Sequence, residues 1–300
     1  MSGTTDCLYF AYGSNLNPSD LREWERKHGY ATNGEKSFVD SINILDGIFF
    51  LPDHQLQFTY NSTGREGGVL DVTPKTGHAV AGKLFEVENW NLLDAKEGVS
   101  AHVYEKIKIT VIDEGGKTSD AFTYVVRSRN KVEYVKPNQK YVGIVSDGYK
   151  EFGISQKFPW VQENLTSASE NQECKMIDSM FVYGTLRKQE CREHEMRKIS
   201  LESKDISIRA KMYDIGTFPA IRLEDGTVHG EIHKIKAEPH SFDVLDCIEN
   251  FNRYDESSLY HRILINSSEG VCWTYVWNGS TDNYKTIQSG DWKKTGNDSD

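Results

Sequence analysis

The chain of 300 residues is 37% hydrophobic and carries a formal net charge of −10 at pH 7. This length and hydrophobic content are sufficient for two globular domains of ordinary size. The acidic balance argues against nucleic acid or an anionic membrane surface as the main partner, because both repel a negative protein. The apolar runs are shorter than a membrane crossing requires, so no membrane association is expected.

Five cysteines form an odd set with no close pair, namely Cys7, Cys174, Cys191, Cys247 and Cys272. Such a set is typical of free thiols in a reducing compartment. The first residues are polar, and no basic segment precedes an apolar one, so no signal peptide is predicted. We therefore expect a cytoplasmic protein, while the composition does not indicate an oligomeric state.

The first predicted element is an aromatic-rich apolar run from Leu8 that ends at Tyr12-Gly13-Ser14. It predicts a buried strand that stops at a glycine, where the backbone can turn sharply and approach a ligand. The amides that follow the glycine can form a small anion-binding concavity. The alternative is a strand followed by an ordinary turn.

Mixed elements follow this strand. A helix is predicted to begin at residues 17–20 and to end near Gly29. Alternating apolar residues then predict several strands, at residues 56–60, 69–72 and 79–87.

Residues 90–98 predict a short helix with a glutamate on its apolar face. Trp90, Leu93 and Glu97 stand at positions i, i+3 and i+7, which share one side of a helix. Gly98 follows at once and is a common helix terminator. Glu97 is therefore predicted in the last turn, among apolar groups.

Two further strands are predicted at residues 103–111 and 121–126, and a helix at residues 141–152. Short strands with few helices indicate a compact α+β sheet or barrel and not a doubly wound fold. The polar stretch 155–178, which contains Pro159, is predicted as a linker. It would separate a first domain of residues 1–154 from a second of residues 179–300.

The second half repeats the plan in shorter form. An apolar run from Met180 ends at Tyr183-Gly184-Thr185, and a helix is predicted at residues 191–199. Phe242, Leu245 and Glu249 repeat the i, i+3, i+7 spacing, and Asn250 is the terminator. The two halves are therefore interpreted as a duplication.

Burial among apolar groups should raise the pKa of each glutamate above its reference of ~4.3, because the charged form loses hydration. The partial negative charge of the helix C-terminus acts in the same direction. A carboxyl group with a raised pKa can serve as general acid and general base. The alternative is that Glu97 and Glu249 point outward or pair with a lysine.

The ordered motifs resemble the gamma-glutamylcyclotransferase-like superfamily. The first half is similar to the gamma-glutamylcyclotransferase branch, through residues 12–16, 67–68, 80–82, 93–98, 104 and 137–141. The second half is similar to the shorter gamma-glutamylamine cyclotransferase branch, through residues 183–187, 216–221, 245–249, 260–262 and 290–292. The motifs cover nearly the whole chain except the linker.

This resemblance implies two copies of one α+β fold, each a small mixed β-barrel with flanking helices. It implies a reaction without metal or cofactor on a small γ-glutamyl substrate, of the lyase or acyltransferase type. The α-amine of the γ-glutamyl group attacks its own side-chain carbonyl, which forms 5-oxoproline and releases an amine or amino acid.

The implied site residues fall into two sets. The catalytic residues would be Glu97 and Glu249. The substrate-binding residues would be Tyr12, Gly13, Ser14, Asn15, Leu16, Tyr104, Tyr141, Tyr183, Gly184, Thr185, Leu186 and Tyr260. Each of Tyr104, Tyr141 and Tyr260 can equally be a core tyrosine, and Tyr12 and Tyr183 are expected to form walls.

Two alternatives stay open. Within the enzyme class, the protein would remove a γ-glutamyl protecting group from an antibiotic side chain, as bacterial relatives do. Outside it, each pocket would bind a small carboxylate without chemistry. A metal site at His229, Glu231 and His233 is disfavoured, because no third histidine or cysteine is held near them by the sequence.

Overall fold

The computed structural model of the chain describes residues 8–30, 38–88 and 90–293. Within these ranges the chain forms two compact units: the first comprises residues 8–113 and 118–175, and the second comprises residues 114–117 and 176–293. Cys7 lies outside the described residues. None of the helices in the described ranges has the length and apolar character that a membrane crossing requires.

The first unit is a closed barrel of five strands. Its strands are β1 Leu8–Ala11, β2 Asn43–Ile44, β3 Phe49–Ser62, β4 Gly67–Glu86, β5 Tyr104–Asp113 and β6 Thr118–Val126. The order β1-β6-β5-β3-β4 closes because β4 also pairs with β1, and β2 extends the far side of β4. The β1–β6 pair is parallel and the other pairs are antiparallel. Closure leaves these five strands without a free edge.

The long hairpin of β3 and β4 bends to complete the barrel. Its register shifts between Pro52 and His54 and again between Phe58 and Tyr60. Such bulges bend a strand and increase its twist locally, which is what closure of a sheet requires.

Six α-helices lie in the described part of the first unit: α1 Pro18–Lys27, α2 Phe38–Ser41, α3 Asn91–Lys96, α4 Gln139–Glu151, α5 Ile154–Lys157 and α6 Trp160–Ser169. The predicted helix start at residues 17–20 is confirmed, since Pro18 occupies the first turn and the Asn17 side chain accepts a hydrogen bond from the Asp20 amide. The helix predicted at residues 141–152 is also confirmed, as α4.

The structure differs from the sequence prediction at residues 155–178, which were predicted as a linker. Most of that segment is helical, and α6 buries Val161, Leu165 and Ala168 at i, i+4 and i+7. The first unit accordingly extends through Lys175. The apolar face of α6 consists of these three residues alone. The otherwise polar composition of the segment therefore did not predict a helix.

Eight strands and two α-helices lie in the part of the second unit that the structure describes. The strands are β7 Ser179–Val182, β8 Ser200–Ile208, β9 Lys211–Asp214, β10 Pro219–Arg222, β11 Val228–Ile235, β12 Tyr260–Ser267, β13 Gly270–Trp277 and β14 Lys285–Thr286; the helices are α7 Glu193–Ile199 and α8 Pro239–Ile248. One sheet has the order β12-β13-β7-β11-β8, and a smaller one has the order β10-β9-β14.

The two units share the arrangement around their first strand. β1 lies between β6 and β4, and β7 lies between β13 and β11, with parallel and antiparallel pairing in the same positions. Equivalent side chains make equivalent bonds: Thr123 donates to the Phe10 carbonyl at 2.8 Å, and Thr274 donates to the Phe181 carbonyl at 3.1 Å. The duplication inferred from the sequence is therefore visible in the hydrogen bonding.

Each unit also needs a glycine where two strands come close. A Cβ at Gly82 would lie 2.2 Å from the Ala11 carbonyl oxygen and 2.8 Å from the Phe10 ring. A Cβ at Gly230 would lie 2.4 Å from both the Val182 carbonyl oxygen and the Phe181 ring. Only glycine allows this approach, which holds the strand before each Tyr-Gly loop against its neighbour.

We predict that Gly82→Ala destabilises the first unit by at least ~1–3 kcal/mol, because the added methyl group overlaps main-chain oxygen in a packed barrel. Urea unfolding of the full chain measures the loss. Gly143→Ala is the matched control: nothing lies within 4 Å of its Cβ, and alanine favours α4 by ~0.5–1 kcal/mol. Equal midpoints for the two variants would contradict the packing argument.

Candidate active sites

Glu97 lies directly after α3, where it is the C-cap residue of the helix. Its amide donates to the Leu93 carbonyl at 2.9 Å, and Gly98 then leaves the helix with a φ of 60°. This ending turns the glutamate side chain back toward the barrel. Burial raises the pKa of Glu97, although the Lys96 charge and a hydrogen bond from Asn15 oppose that rise.

Asn15, in the turn after β1, connects the glutamate to the Tyr-Gly loop. Its Nδ2 donates to Glu97 Oε1 at 2.9 Å and to the Tyr9 hydroxyl at 2.8 Å. Its Oδ1 accepts a hydrogen bond from Lys96 Nζ at 2.6 Å. The structure therefore brings the predicted loop and the predicted glutamate into direct contact.

A buried ion network continues from Lys96. The Lys96 side chain is only 4% exposed, and its Nζ lies 3.3 Å from Asp20 Oδ2. Arg65 makes a bidentate pair with the same carboxylate, with both bonds at 2.6 Å. Burial alone would raise the pKa of Asp20, but the hydrogen bonds from Arg65 and the charge of Lys96 lower it. The network thus holds two cations beside the glutamate.

The tyrosines of the first unit are fixed by main-chain bonds. The Tyr104 hydroxyl donates to the Leu70 carbonyl at 3.0 Å, and the Tyr141 hydroxyl accepts from the Leu70 amide at 3.3 Å. Tyr12 donates to the Tyr124 carbonyl at 2.8 Å, which occupies its hydroxyl proton inside the barrel. Tyr104 and Tyr141 therefore face the site on rigid supports, whereas Tyr12 forms part of the wall.

A cavity of about 480 Å³ opens beside these groups. Four predicted residues line it: Ser14, Glu97, Tyr104 and Tyr141. Asn15 joins the site through its bond to Glu97, Gly13 adjoins the Tyr141 hydroxyl, and Leu16 is fully buried behind the loop.

Glu249 occupies the equivalent place in the second unit. It is the C-cap residue of α8, and its amide donates to the Leu245 carbonyl at 2.9 Å. Burial raises the pKa of Glu249 to about 7; the Arg192 charge opposes the rise and the Asp246 charge adds to it. The carboxyl group is therefore poised near neutrality, where a group that both accepts and donates a proton works best.

The second cavity is smaller, at about 130 Å³. All five predicted residues of this unit line it together with the glutamate: Tyr183, Gly184, Thr185, Leu186 and Tyr260. The Tyr260 hydroxyl donates to the Pro219 carbonyl at 2.7 Å, and the Tyr183 hydroxyl donates to the Tyr275 carbonyl at 2.9 Å. Both tyrosines therefore line the cavity, while their hydroxyl protons are donated to main-chain carbonyl groups.

A second layer of side chains supports both glutamates in the same way. In the first unit, Asp94, three residues before Glu97, accepts from the Tyr124 hydroxyl at 2.6 Å and pairs with Lys106 at 3.4 Å. Lys106 in turn lies 4.2 Å from the Trp90 ring centroid.

The second unit repeats this layer with stronger groups. Asp246, three residues before Glu249, accepts from the Tyr275 hydroxyl and from Arg262 Nε at 2.9 Å. Arg262 is 1% exposed and lies 4.8 Å from the Phe242 ring centroid. The short helix that carries the glutamate is therefore tied to the sheet by a half-buried aspartate in both units.

Glu231 and His233, two of the residues considered for a metal, belong to another network. Glu231 accepts from the Lys188 amide, lies 3.1 Å from Lys293 Nζ and is near Arg187 and His233. Burial would raise the pKa of Glu231, but the hydrogen bonds of His233 and Lys188 and the Lys293 charge lower it to about 2. Within the described residues, no group of three or more His, Cys, Asp and Glu side chains is arranged as a metal site.

Sequence reasoning missed the charged groups that line the cavities. Arg65, Lys96 and Asp20 line the first cavity and Arg192 lines the second, and none of the four was predicted as a site residue. Lys96 and Arg192 carried a usable signal, because Lys96 precedes Glu97 directly and Arg192 follows the Tyr-Gly segment by few residues. Arg65 carried none, since only the β3–β4 hairpin brings it to Asp20.

Comparisons with known proteins find matching families in both units. Residues 180–294 match the family "Gamma-glutamyl cyclotransferase, AIG2-like", and residues 79–161 match the "AIG2-like family". The chain is 34% identical over 114 residues to "Gamma-glutamylcyclotransferase family protein YtfP" of Escherichia coli K12, which covers 38% of this chain and 94% of that protein.

One further relative and one solved structure are also similar to this chain. "Gamma-L-glutamyl-butirosin B gamma-glutamyl cyclotransferase" of Niallia circulans is 35% identical over 124 residues, which is 39% of this chain and 77% of that protein. A solved structure titled "Gamma-glutamyl cyclotransferase" is 26% identical and covers 54% of this chain and 86% of its own, with a TM-score of 0.44.

The fold and the repeated site define a two-unit protein of the AIG2-like class. The chain belongs to the gamma-glutamylcyclotransferase family, as a tandem member with two such units.

We predict that Asp246→Ala destabilises the second unit by ~3–5 kcal/mol, because it removes the carboxylate from the buried Arg262. Urea unfolding followed by tryptophan fluorescence measures the change. Asp225→Ala is the control, since its pair with Arg209 is 89% and 79% exposed and should contribute less than ~1 kcal/mol. The expectation fails if both variants unfold at the wild-type midpoint.

Proposed function

We propose that the protein is a gamma-glutamyl cyclotransferase with two sites, in which Glu97 and Glu249 move the protons. The observation that carries the proposal is the repeated placement of a partly buried glutamate at the end of a short helix, facing a Tyr-Gly loop, in both units. The raised pKa of both carboxyl groups supports the same role.

The reaction requires that one substrate molecule folds on itself. The α-amine nitrogen attacks the γ-carbonyl carbon, a new C–N bond closes the five-membered ring, and the C–N bond to the leaving amine breaks. Enforced proximity of this kind supplies roughly 7–11 kcal/mol of the barrier. The cavities beside Glu97 and Glu249 would hold the γ-glutamyl chain in the folded form.

One carboxyl group can serve both proton transfers. Its carboxylate form takes a proton from the substrate ammonium group, so that the amine becomes a nucleophile. Its acid form then gives that proton to the departing nitrogen. The carboxylate next takes the second proton from the ring nitrogen and passes it to the released amine, so that the lactam is neutral, the amine leaves as an ammonium ion and the carboxylate is restored. The amides of residues 13–15 and 184–186 would stabilise the negative charge that develops on the γ-carbonyl oxygen.

Removal of a γ-glutamyl group from a larger amine is a second candidate. The first cavity supports it, with a volume of about 480 Å³ against about 130 Å³ in the second. The name of the Niallia circulans relative states such an activity on a butirosin for that protein. Under this proposal, the first unit accepts a leaving group larger than the second unit can hold.

A cytoplasmic location is part of the proposal. Among the described residues, Cys174, Cys191, Cys247 and Cys272 are free thiols, as is usual in a reducing compartment.

We predict that the wild-type protein releases 5-oxoproline from a panel of γ-glutamyl amino acids, γ-glutamylamines and a γ-glutamyl aminoglycoside. Glu97→Gln and Glu249→Gln should each abolish the activity of one unit, with a ~10²–10⁴-fold loss at that site, because glutamine cannot transfer the proton. Chromatography of 5-oxoproline gives the rate, and the double variant should show no turnover above background.

The exposed residues Glu151 and Glu256 supply matched controls as Glu→Gln variants, one in each unit. Both should retain wild-type rates. Tight binding of a γ-glutamyl compound by calorimetry without 5-oxoproline would instead identify a binding module and defeat the proposal.

A further inference from the structure

The residues beside the two glutamates differ at two equivalent positions. The Tyr-Gly loops align Asn15 with Leu186, and the residues just before the glutamates align Lys96 with Ile248. The alignment is structural as well, because both glutamates are C-cap residues with a 2.9 Å amide bond to the leucine four residues earlier. Both polar neighbours of Glu97 are therefore replaced by hydrocarbon beside Glu249.

In the first unit these neighbours act as a pair. Asn15 donates from Nδ2 to Glu97 and accepts at Oδ1 from Lys96, so the amide cannot rotate without losing both bonds. The Lys96 ammonium is held in turn by Asp20 at 3.3 Å. One oxygen of the glutamate is thereby fixed, and a nearly buried positive charge lies behind it.

In the second unit the same positions offer packing only. Leu186 is 3% exposed, and it lines the cavity together with Ile248 and Glu249. A leucine and an isoleucine provide neither a hydrogen bond nor a charge to the carboxylate. They also exclude water, which a carboxylate requires for its hydration.

We propose that Asn15 and Lys96 are positioning residues peculiar to the first unit, which fix and charge-compensate the carboxylate of Glu97, while the site of Glu249 works without them. The catalytic consequence rests on the proposed cyclotransferase function, but the effect on the two carboxyl groups does not.

Other charged and titratable groups lie near each glutamate and also affect its pKa. Around Glu97 they are Lys96, Arg65, Asp20, Tyr9, Tyr12, Tyr104, Tyr124 and Tyr141. Around Glu249 they are Arg192, Asp246, Tyr183, Tyr260 and Tyr275. The net effect of the neighbours opposes ionisation less at Glu97, because Lys96 and the Asn15 amide both favour the charged form.

The two sites should consequently ionise at different pH. A carboxyl group must be deprotonated to accept the substrate proton, so activity falls when the pH drops below its pKa. Glu249, with a pKa of about 7, loses its base form just below neutrality. Glu97 keeps its base form to lower pH, so the first unit is the one that works in mildly acidic solution.

We predict that the two glutamates titrate separately in the full-length protein. Carbon-13 NMR of glutamate Cδ, assigned with Glu97→Gln and Glu249→Gln, should give a midpoint near pH 7 for Glu249 and a lower midpoint for Glu97. The acid limb of kcat/KM should follow the same order when each single-site enzyme is assayed.

Exchange of the neighbours tests the cause. Asn15→Leu with Lys96→Ile should raise the Glu97 midpoint toward that of Glu249, and Leu186→Asn with Ile248→Lys should lower the Glu249 midpoint. Lys96→Met is the milder variant if the double exchange fails to fold. Lys96→Arg retains the positive charge, so the Glu97 midpoint should stay closer to the wild-type value than in Lys96→Met. A purely structural role of Lys96 would not require this difference.

The results separate this inference from the proposed function. Midpoints that differ and move with the exchange support the inference, even in a protein that forms no 5-oxoproline. The inference is overturned if the two midpoints coincide in the wild type. It is also overturned if Lys96→Met leaves the Glu97 midpoint unchanged and Leu186→Asn with Ile248→Lys leaves the Glu249 midpoint unchanged, whether or not the protein is a cyclotransferase.

Discussion

Removal of a carboxylate from water at the end of a short helix is the constraint on which both sites depend. A helix C-terminus is an unfavourable place for negative charge, and burial adds to the cost. The protein keeps Glu97 and Glu249 there because each helix is tied to the sheet at another point. Asp94 and Asp246 make that connection, through a tyrosine and a cation, one turn before the glutamate.

The duplication has preserved this support more strictly than the site itself. Threonine, tyrosine and glycine contacts around β1 recur around β7 with nearly the same lengths. They hold the end of each strand against the neighbouring strand, because Gly82 and Gly230 allow the main chains to approach closely. Once that frame is rigid, the side chains around the glutamate are free to change.

Change at the site has produced two different electrostatic surroundings. The first unit encloses Lys96, Asp20 and Arg65 in a network that balances charge, and its cavity is wide. The second unit surrounds Glu249 with hydrocarbon, one arginine and a narrow cavity. A single chain therefore places its two glutamates in distinct electrostatic surroundings.

The sequence by itself determined the duplication, the short helices that end at Glu97 and Glu249, and the strands that stop at Tyr-Gly, because these depend on local periodicity and on glycine. It also indicated an α+β class, which is confirmed. Only the tertiary structure decided that residues 160–169 form a packed helix, that the first barrel closes, and that Arg65 and Asp20 reach the site. Those outcomes depend on contacts between distant residues, such as the pair of Asp20 with Arg65, which leave no local pattern in the chain.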